Sequence, residues 1–183
     1  LDAYLEQKRA RFPRFYFISD DQLIDILCQH KEPRHMQGHF HKIFEGTKSV
    51  SFNTLEGRPS ITALQAPQGE AVTLTAPVPC HGDVESWLSK LESCIFRTVR
   101  DEIHTALKRL PAAPSRMDWI AEHPAQVVLA VGLVQWTHEV SLAIGAGGLG
   151  QVLGRTQDRL RHYPQALAPF WRSRSAQVQP EAP

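Results

Sequence analysis

The chain has 183 residues, 42% of them hydrophobic, and a formal net charge of +1 at pH 7. That length suffices for one domain with a real core or two small packed lobes. The mixed charge leaves no footprint for nucleic acid or an anionic membrane surface. Three cysteines, Cys28, Cys80 and Cys94, are an odd number without metal-type spacing, as expected of free thiols in a reducing compartment. The most apolar run, Val127 to Val134, is shorter than the roughly 18 residues of a membrane span. No initiator methionine or signal peptide opens the chain, and Leu1 already sits inside an amphipathic pattern, so the chain reads as part of something longer.

Leu1–Arg11 reads as the end of a helix that Pro13 should stop. Arg11 to Ser19 is dense in aromatic and basic residues. Alternation predicts a short extended segment with Phe15 and Phe17 pointing inward, and Phe12 packing beside them as an aromatic wedge. The bland reading is that these phenylalanines are simply core. Ser19-Asp20-Asp21-Gln22 fits a capping box, followed by a helical face of Leu23, Ile24, Ile26 and Leu27 that ends by Pro33. Met36, Phe40, Ile43 and Phe44 form the next amphipathic stripe, closed by Gly46.

From Val50 to Val78 the period becomes two, predicting a small antiparallel hairpin or meander. Ala66-Pro67-Gln68-Gly69 supplies a type I turn, and Pro77-Val78-Pro79 breaks the last strand. Asp83 is placed to cap a long helix whose apolar positions run from Val84 to Leu110 at spacings of three or four, ended by Pro111. Ser115 caps a short helix through Trp119 and Ile120 that ends at His123-Pro124. Ala125–Ile144 is apolar nearly all round at first, so its first half is expected to be buried. Gly145–Gly150 breaks it, Gln151–Tyr163 is a weak helix, and the residues beyond Pro164 read as a frayed tail.

Candidate chemistry is sparse. Gly145-Ala146-Gly147-Gly148-Leu149-Gly150 spells G-x-G-x-x-G, but a helical pattern precedes it and no acid follows near position 170. Gly154-Arg155-Thr156 lacks the first glycine and the lysine of a phosphate loop. Cys28, His30, His35, His39 and His41 cluster in sequence. His35 and His39 share a helical face, yet no fourth ligand is placed, so a solvated face is expected rather than metal. No catalytic, cofactor-binding or metal residue is assigned. Lys8, Arg9, Arg11 and Arg14 form a basic cluster, read either as a solvated face or as a docking surface for an acidic partner.

Tyr4-Leu5-Glu6-Gln7-Lys8-Arg9, Phe12-Pro13-Arg14-Phe15-Tyr16-Phe17-Ile18-Ser19 and Leu23 together resemble the linker region of dynein heavy chains. Phe44-Glu45-Gly46, Ile61-Thr62-Ala63, Val84-Glu85-Ser86-Trp87-Leu88, Trp119, His123-Pro124-Ala125-Gln126-Val127-Val128-Leu129 and Trp136-Thr137 continue it in order. The resemblance covers residues 1–145, with the β insertion at about 49–78, and leaves 146–183 as a divergent glycine-rich segment and disordered tail. Gly38 and Ile43 depart from it, where proline and cysteine are usual, and His41 stands where lysine is usual.

The resemblance implies a mainly α fold: an elongated helical bundle with one long helix and a small antiparallel β insertion. It implies the ring-proximal part of a lever that swings across a ring of AAA+ modules and performs no chemistry itself. ATP and magnesium would belong to the parent's ring. Partners would be that ring, microtubules through the parent motor, and dynein intermediate and light chains, with no nucleic acid and no membrane. The location would be the cytoplasmic cytoskeleton, in a ciliary or flagellar axoneme. The alternative is a non-motor interaction scaffold that keeps the linker fold. An enzyme binding phosphate or dinucleotide at Gly145–Thr156 ranks last.

Overall fold

The computed structural model describes residues 1–28, 32–55, 57–113 and 115–177, with side chains up to 163. His30 of the histidine cluster and the last six residues lie outside that set. The chain divides into two compact units, Leu1–Thr98 and Val99–Pro183. The fold is mainly α with a three-stranded antiparallel sheet.

The first unit opens with α1 (Asp2–Arg11), a 3-10 turn (Pro13–Phe17) and α2 (Asp20–Cys28). Ser19 and Gln22 close the expected capping box: Gln22 N–H donates to Ser19 Oγ at 3.4 Å, and Ser19 N–H to Gln22 Oε1 at 3.3 Å. The stripe of Met36, Phe40, Ile43 and Phe44 is buried as its spacing predicts. Its backbone, however, is a 3-10 stretch (Pro33–His39) followed by a four-residue α3 (Phe40–Ile43). Gly46 takes its left-handed turn at φ 76°, two residues after the cap at Phe44.

Strands β1 (Ser49–Leu55), β2 (Arg58–Gln65) and β3 (Ala71–Pro79) form a meander in the order β1-β2-β3. Gly69 N–H donates to the Ala66 carbonyl at 3.0 Å, closing the turn that Pro67 predicts. Gln37 covers the free side of β1 in place of a strand. Its amide donates to the Val50 carbonyl at 2.6 Å and its oxygen accepts the Val50 N–H at 3.0 Å.

The expected break at Pro77-Val78-Pro79 does not occur, because β3 is an edge strand where proline removes no ladder bond. Instead the β2–β3 register jumps between Ile61↔Val78 and Ala63↔Thr73. The intervening backbone is satisfied from α4 (Val84–Arg109): Thr75 N–H donates to Thr98 Oγ1 at 3.0 Å, and Cys94 Sγ donates to the Ala76 carbonyl at 3.4 Å. One core unites Phe12, Phe15, Phe40, Phe44, Ile61, Trp87 and Leu88 with their neighbours.

The long helix forms as its spacing demands, 26 residues or about 39 Å. At its start the Trp87 N–H donates to the Asp83 carbonyl at 3.3 Å, the backbone bond of an N-cap.

The second unit holds the end of α4, α5 (Arg116–Glu122), α6 (Ala125–Ala146) and α7 (Leu149–Gln177). Ser115 caps α5 by accepting Asp118 N–H at 3.1 Å. Trp119 centres a small core with Ala106, Val127 and Val131, and its indole donates to the Ala106 carbonyl at 3.0 Å.

Two expectations fail here. The first half of α6 is not buried: Leu129 is 74% and Leu133 63% exposed. A helix apolar all round can bury only the side that meets its unit's core, through Val127 and Val131. With 22 residues, α6 as a whole is long and apolar enough to cross a membrane by length and composition, although the Val127–Val134 run is not. Secondly, α7 continues helically through Pro164 and Pro169 to Gln177 where a frayed tail was expected. Proline's fixed φ is a helical φ; within a helix it forfeits one hydrogen bond and crowds the carbonyl four residues back, at about 3 kcal/mol, without forbidding continuation.

Candidate functional site

The aromatic segment after α1 is the best-built feature of the first unit. Phe12 is extended (φ −136°, ψ 93°), and a 3-10 turn starts at Pro13, which donates no N–H and fits the first helical position. The turn advances in steps of three: Phe15 N–H donates to the Phe12 carbonyl and Ile18 N–H to the Phe15 carbonyl. Phe12, Phe15 and Ile18 therefore share one face and are buried, at 1%, 0% and 4% exposure. Phe12 meets Phe15 edge-on with ring centroids 5.0 Å apart and tilts toward Phe44 at 6.3 Å.

Phe17 is corrected by the same geometry. An extended strand would place it beside Phe15, but a period near three turns it outward, 69% exposed. Of the three phenylalanines expected to form the wedge, Phe12 and Phe15 are buried, and Ile18 is buried beside them.

The basic cluster is also rearranged. Lys8 Nζ donates to Glu85 Oε1 at 2.6 Å, and Arg11 Nη1 approaches the same oxygen at 3.3 Å. Arg14 Nε donates to Glu92 Oε1 at 2.5 Å and Nη1 to the Ile43 carbonyl at 3.2 Å, with its guanidinium over the Phe44 ring. Arg9 Nη2 reaches the Ile18 carbonyl at 3.3 Å and Asp20 at 2.7 Å. Each of Lys8, Arg9, Arg11 and Arg14 thus meets an acid or a carbonyl within the chain. Only Arg11 keeps a side chain more than half exposed.

Glu85 and Glu92 escaped the sequence reading because they lie more than 70 residues from their partners. The available signal is their spacing: seven positions apart on α4, they lie on one face two turns apart. Glu85 is 3% exposed. Burial pushes its carboxyl pKa upward, but the hydrogen bond and charge of Lys8, a backbone hydrogen bond and the hydrogen bond of Arg11 together outweigh that and hold it below its ordinary value. Lys8 is pulled down by burial and raised above its ordinary value by Glu85. Both groups therefore carry their charges at neutral pH.

Elsewhere the chemistry is thin. His39 Nε2 lies 3.2 Å from Asp25 Oδ2, and among the described residues no three or more His, Cys, Asp and Glu gather in metal-binding geometry. The glycines at 145–150 join two helices, with Gly147 left-handed at φ 69° as the cap of α6. No strand precedes them, so the dinucleotide arrangement is absent at that motif. An apolar groove of about 330 Å³ between α6 and α7 is lined by Trp136, Val140, Leu149, Val152 and Leu153. Thr156 adds one hydroxyl there, and no acid or base.

Comparison with known proteins places these residues in a family. Residues 1–106 match the family described as dynein heavy chain, N-terminal region 2. Dynein axonemal heavy chain 12 of Rattus norvegicus is 38% identical over 153 residues, covering 82% of this chain and 5% of that protein. Dynein axonemal heavy chain 1 of Homo sapiens is 40% identical over 150 residues, covering 81% of this chain and 3% of that protein. The dynein-1-beta heavy chain of the flagellar inner arm I1 complex of Chlamydomonas reinhardtii is 36% identical over 148 residues, covering 79% of this chain and 3% of that protein. The chain thus spans only about a twentieth or less of the length of these relatives. The matched residues include the whole wedge and both of its acidic anchors, and on that match the chain belongs to the dynein heavy chain family.

Proposed function

We propose that this chain is the ring-proximal part of the linker of an axonemal dynein heavy chain. In the parent it acts as a lever, coupling ATP-driven changes of an AAA+ ring to movement along microtubules in a cilium or flagellum. The segment transmits force and performs no chemistry; ATP and magnesium belong to the ring. Its partners in that reading are the parent's own ring, microtubules reached through the motor, and intermediate and light chains.

One observation carries the reading. The buried Phe12 and Phe15 and the Arg14–Glu92 ion pair tie the segment after α1 to the start of a 26-residue helix, inside the part matched to the family. A stiff joint feeding a long helix is what force transmission requires of a protein segment.

The test is made in a motor carrying this segment. Phe15→Ala should slow microtubule gliding more than it slows basal ATP hydrolysis, because the joint softens while the nucleotide sites lie elsewhere. Phe17→Ala, at an exposed ring, serves as the matched control and should leave gliding unchanged. Gliding unaffected by Phe15→Ala, or an equal proportional loss of both activities on an intact assembly, would remove the mechanical role.

A further inference from the structure

Most of the contacts that hold α1 to its unit are polar. Its single buried side chain is Leu5. Leu1 and Tyr4 stand 79% and 50% exposed. Its remaining ties are polar: Lys8 and Arg11 to Glu85, Arg9 to Asp20 and to the Phe15 and Ile18 carbonyls, and Glu6 to the Tyr16 hydroxyl.

Just after α1 the situation reverses. Phe12 leaves the helix in an extended conformation with its ring 1% exposed in the aromatic core, and Phe15 is fully buried. The chain therefore carries a fixed pivot at Phe12, beyond which lies a ten-residue helix.

The polar ties are unequal. The Asp20 side chain that meets Arg9 is 63% exposed, and an ion pair in water adds little. The Tyr16–Glu6 bond is also at the surface. Glu85 alone is buried, at 3% side-chain exposure, and two cations of α1 converge on its single oxygen Oε1. The other oxygen of Glu85 is buried without a hydrogen-bond partner among the described residues, so its charge is met at Oε1, and losing that contact strands both the carboxylate and Lys8, the latter at 11% exposure. Asp83, just ahead of α4, acts weakly on Lys8 in the same direction.

We infer that α1 is an arm that undocks as a unit about Phe12, and that Glu85 is the latch holding it against α4. The undocked state keeps the aromatic core, the sheet and α4 folded, because Leu5 is the one residue of α1 in the first unit's core cluster. The latch is a positioning residue for whatever chain enters through α1. It stands whether or not the chain serves a motor, since it concerns the local hierarchy of stability within the first unit.

Amide hydrogen exchange on the chain tests it, comparing wild type with Glu85→Gln, which keeps the shape and removes the charge. Amides of Leu5–Arg11 should exchange about tenfold faster or more, while those of β2 and of α4 from Leu88 onward keep their protection. Lys8→Met with Arg11→Met removes the latch from the other side and should give the same localised pattern. If Glu85→Gln does not fold, that double variant decides by the same criterion. Glu85→Asp, which keeps the charge on a shorter arm, should restore part of the protection. Equal loss of protection across the sheet, α4 and α1 would show that Glu85 merely supports the core. Unchanged protection in α1 would show that Leu5 and Arg9 hold it. Either result overturns the latch.

Discussion

The two units treat their apolar residues differently. In Leu1–Thr98, phenylalanines from the 3-10 turn and from α3 meet Trp87, Leu88 and Leu91 of α4, and the cations between them find acids in the same unit. In Val99–Pro183 the core is the small group around Trp119, while Leu129, Leu133, Leu142, Ile144, Leu153 and Leu160 face outward. Hydrophobic residues alone therefore do not make a core. A core needs several elements converging on one volume, and α6 and α7 present more apolar face than their unit has elements to cover.

The largest expected effect separates two phenylalanines only two positions apart. Phe15→Ala should destabilise the first unit by about 3–5 kcal/mol in urea titrations, as for other buried aromatic truncations. Phe17→Ala should stay within about 0.5 kcal/mol, as exposed substitutions do. Equal losses would mean that both rings face inward as an extended segment would have them.

Next comes acid sensitivity. The folded-state pKa of Glu85 lies below its unfolded value, so its stabilisation is complete above the ordinary carboxylate range and is lost as pH falls through the folded value. Lys8 and Arg11 face it from α1, and Asp83 lies nearby ahead of α4. Between pH 7 and the ordinary carboxylate value the Glu85 contribution should be flat, and below that it should decline. Glu85→Gln should therefore loosen the docking of α1 at neutral pH and show a shallower further loss on acidification. Parallel pH profiles for the two proteins would contradict the pairing.

Helix caps give a smaller and more even comparison. Ser19 begins α2 in the first unit and Ser115 begins α5 in the second, each accepting a backbone N–H three residues on. Each serine to alanine should cost about 1 kcal/mol in its own unit. A negligible cost at one of them would mark that helix as held by packing alone.

The smallest effect on stability should accompany a large one on association. Leu129→Gln with Leu133→Gln should change stability by under about 0.5 kcal/mol per site. The pair should reduce concentration-dependent self-association in sedimentation velocity, because an exposed apolar face is covered by whatever is available. A monomeric wild-type chain with an unchanged profile in the variant would show that the α6 face is not sticky.

Read alone, the sequence determined what depends on near neighbours. The capping box at Ser19, the cap at Ser115, the turn at Pro67 and the stripe of α4 rest on hydrogen bonds and periodicities that operate within about four residues. Separated motifs in a fixed order along the chain likewise carried the family. Tertiary structure decided the rest. Whether the segment after Pro13 repeats every two residues or every three depends on which surface it packs against, and that choice buried Phe15 and exposed Phe17. Lys8 and Glu85 lie 77 positions apart, and only the folded chain brings a charge pair over that distance. The outward leucines of α6 belong to the same class, since burial is a property of what surrounds a helix as well as of its own pattern.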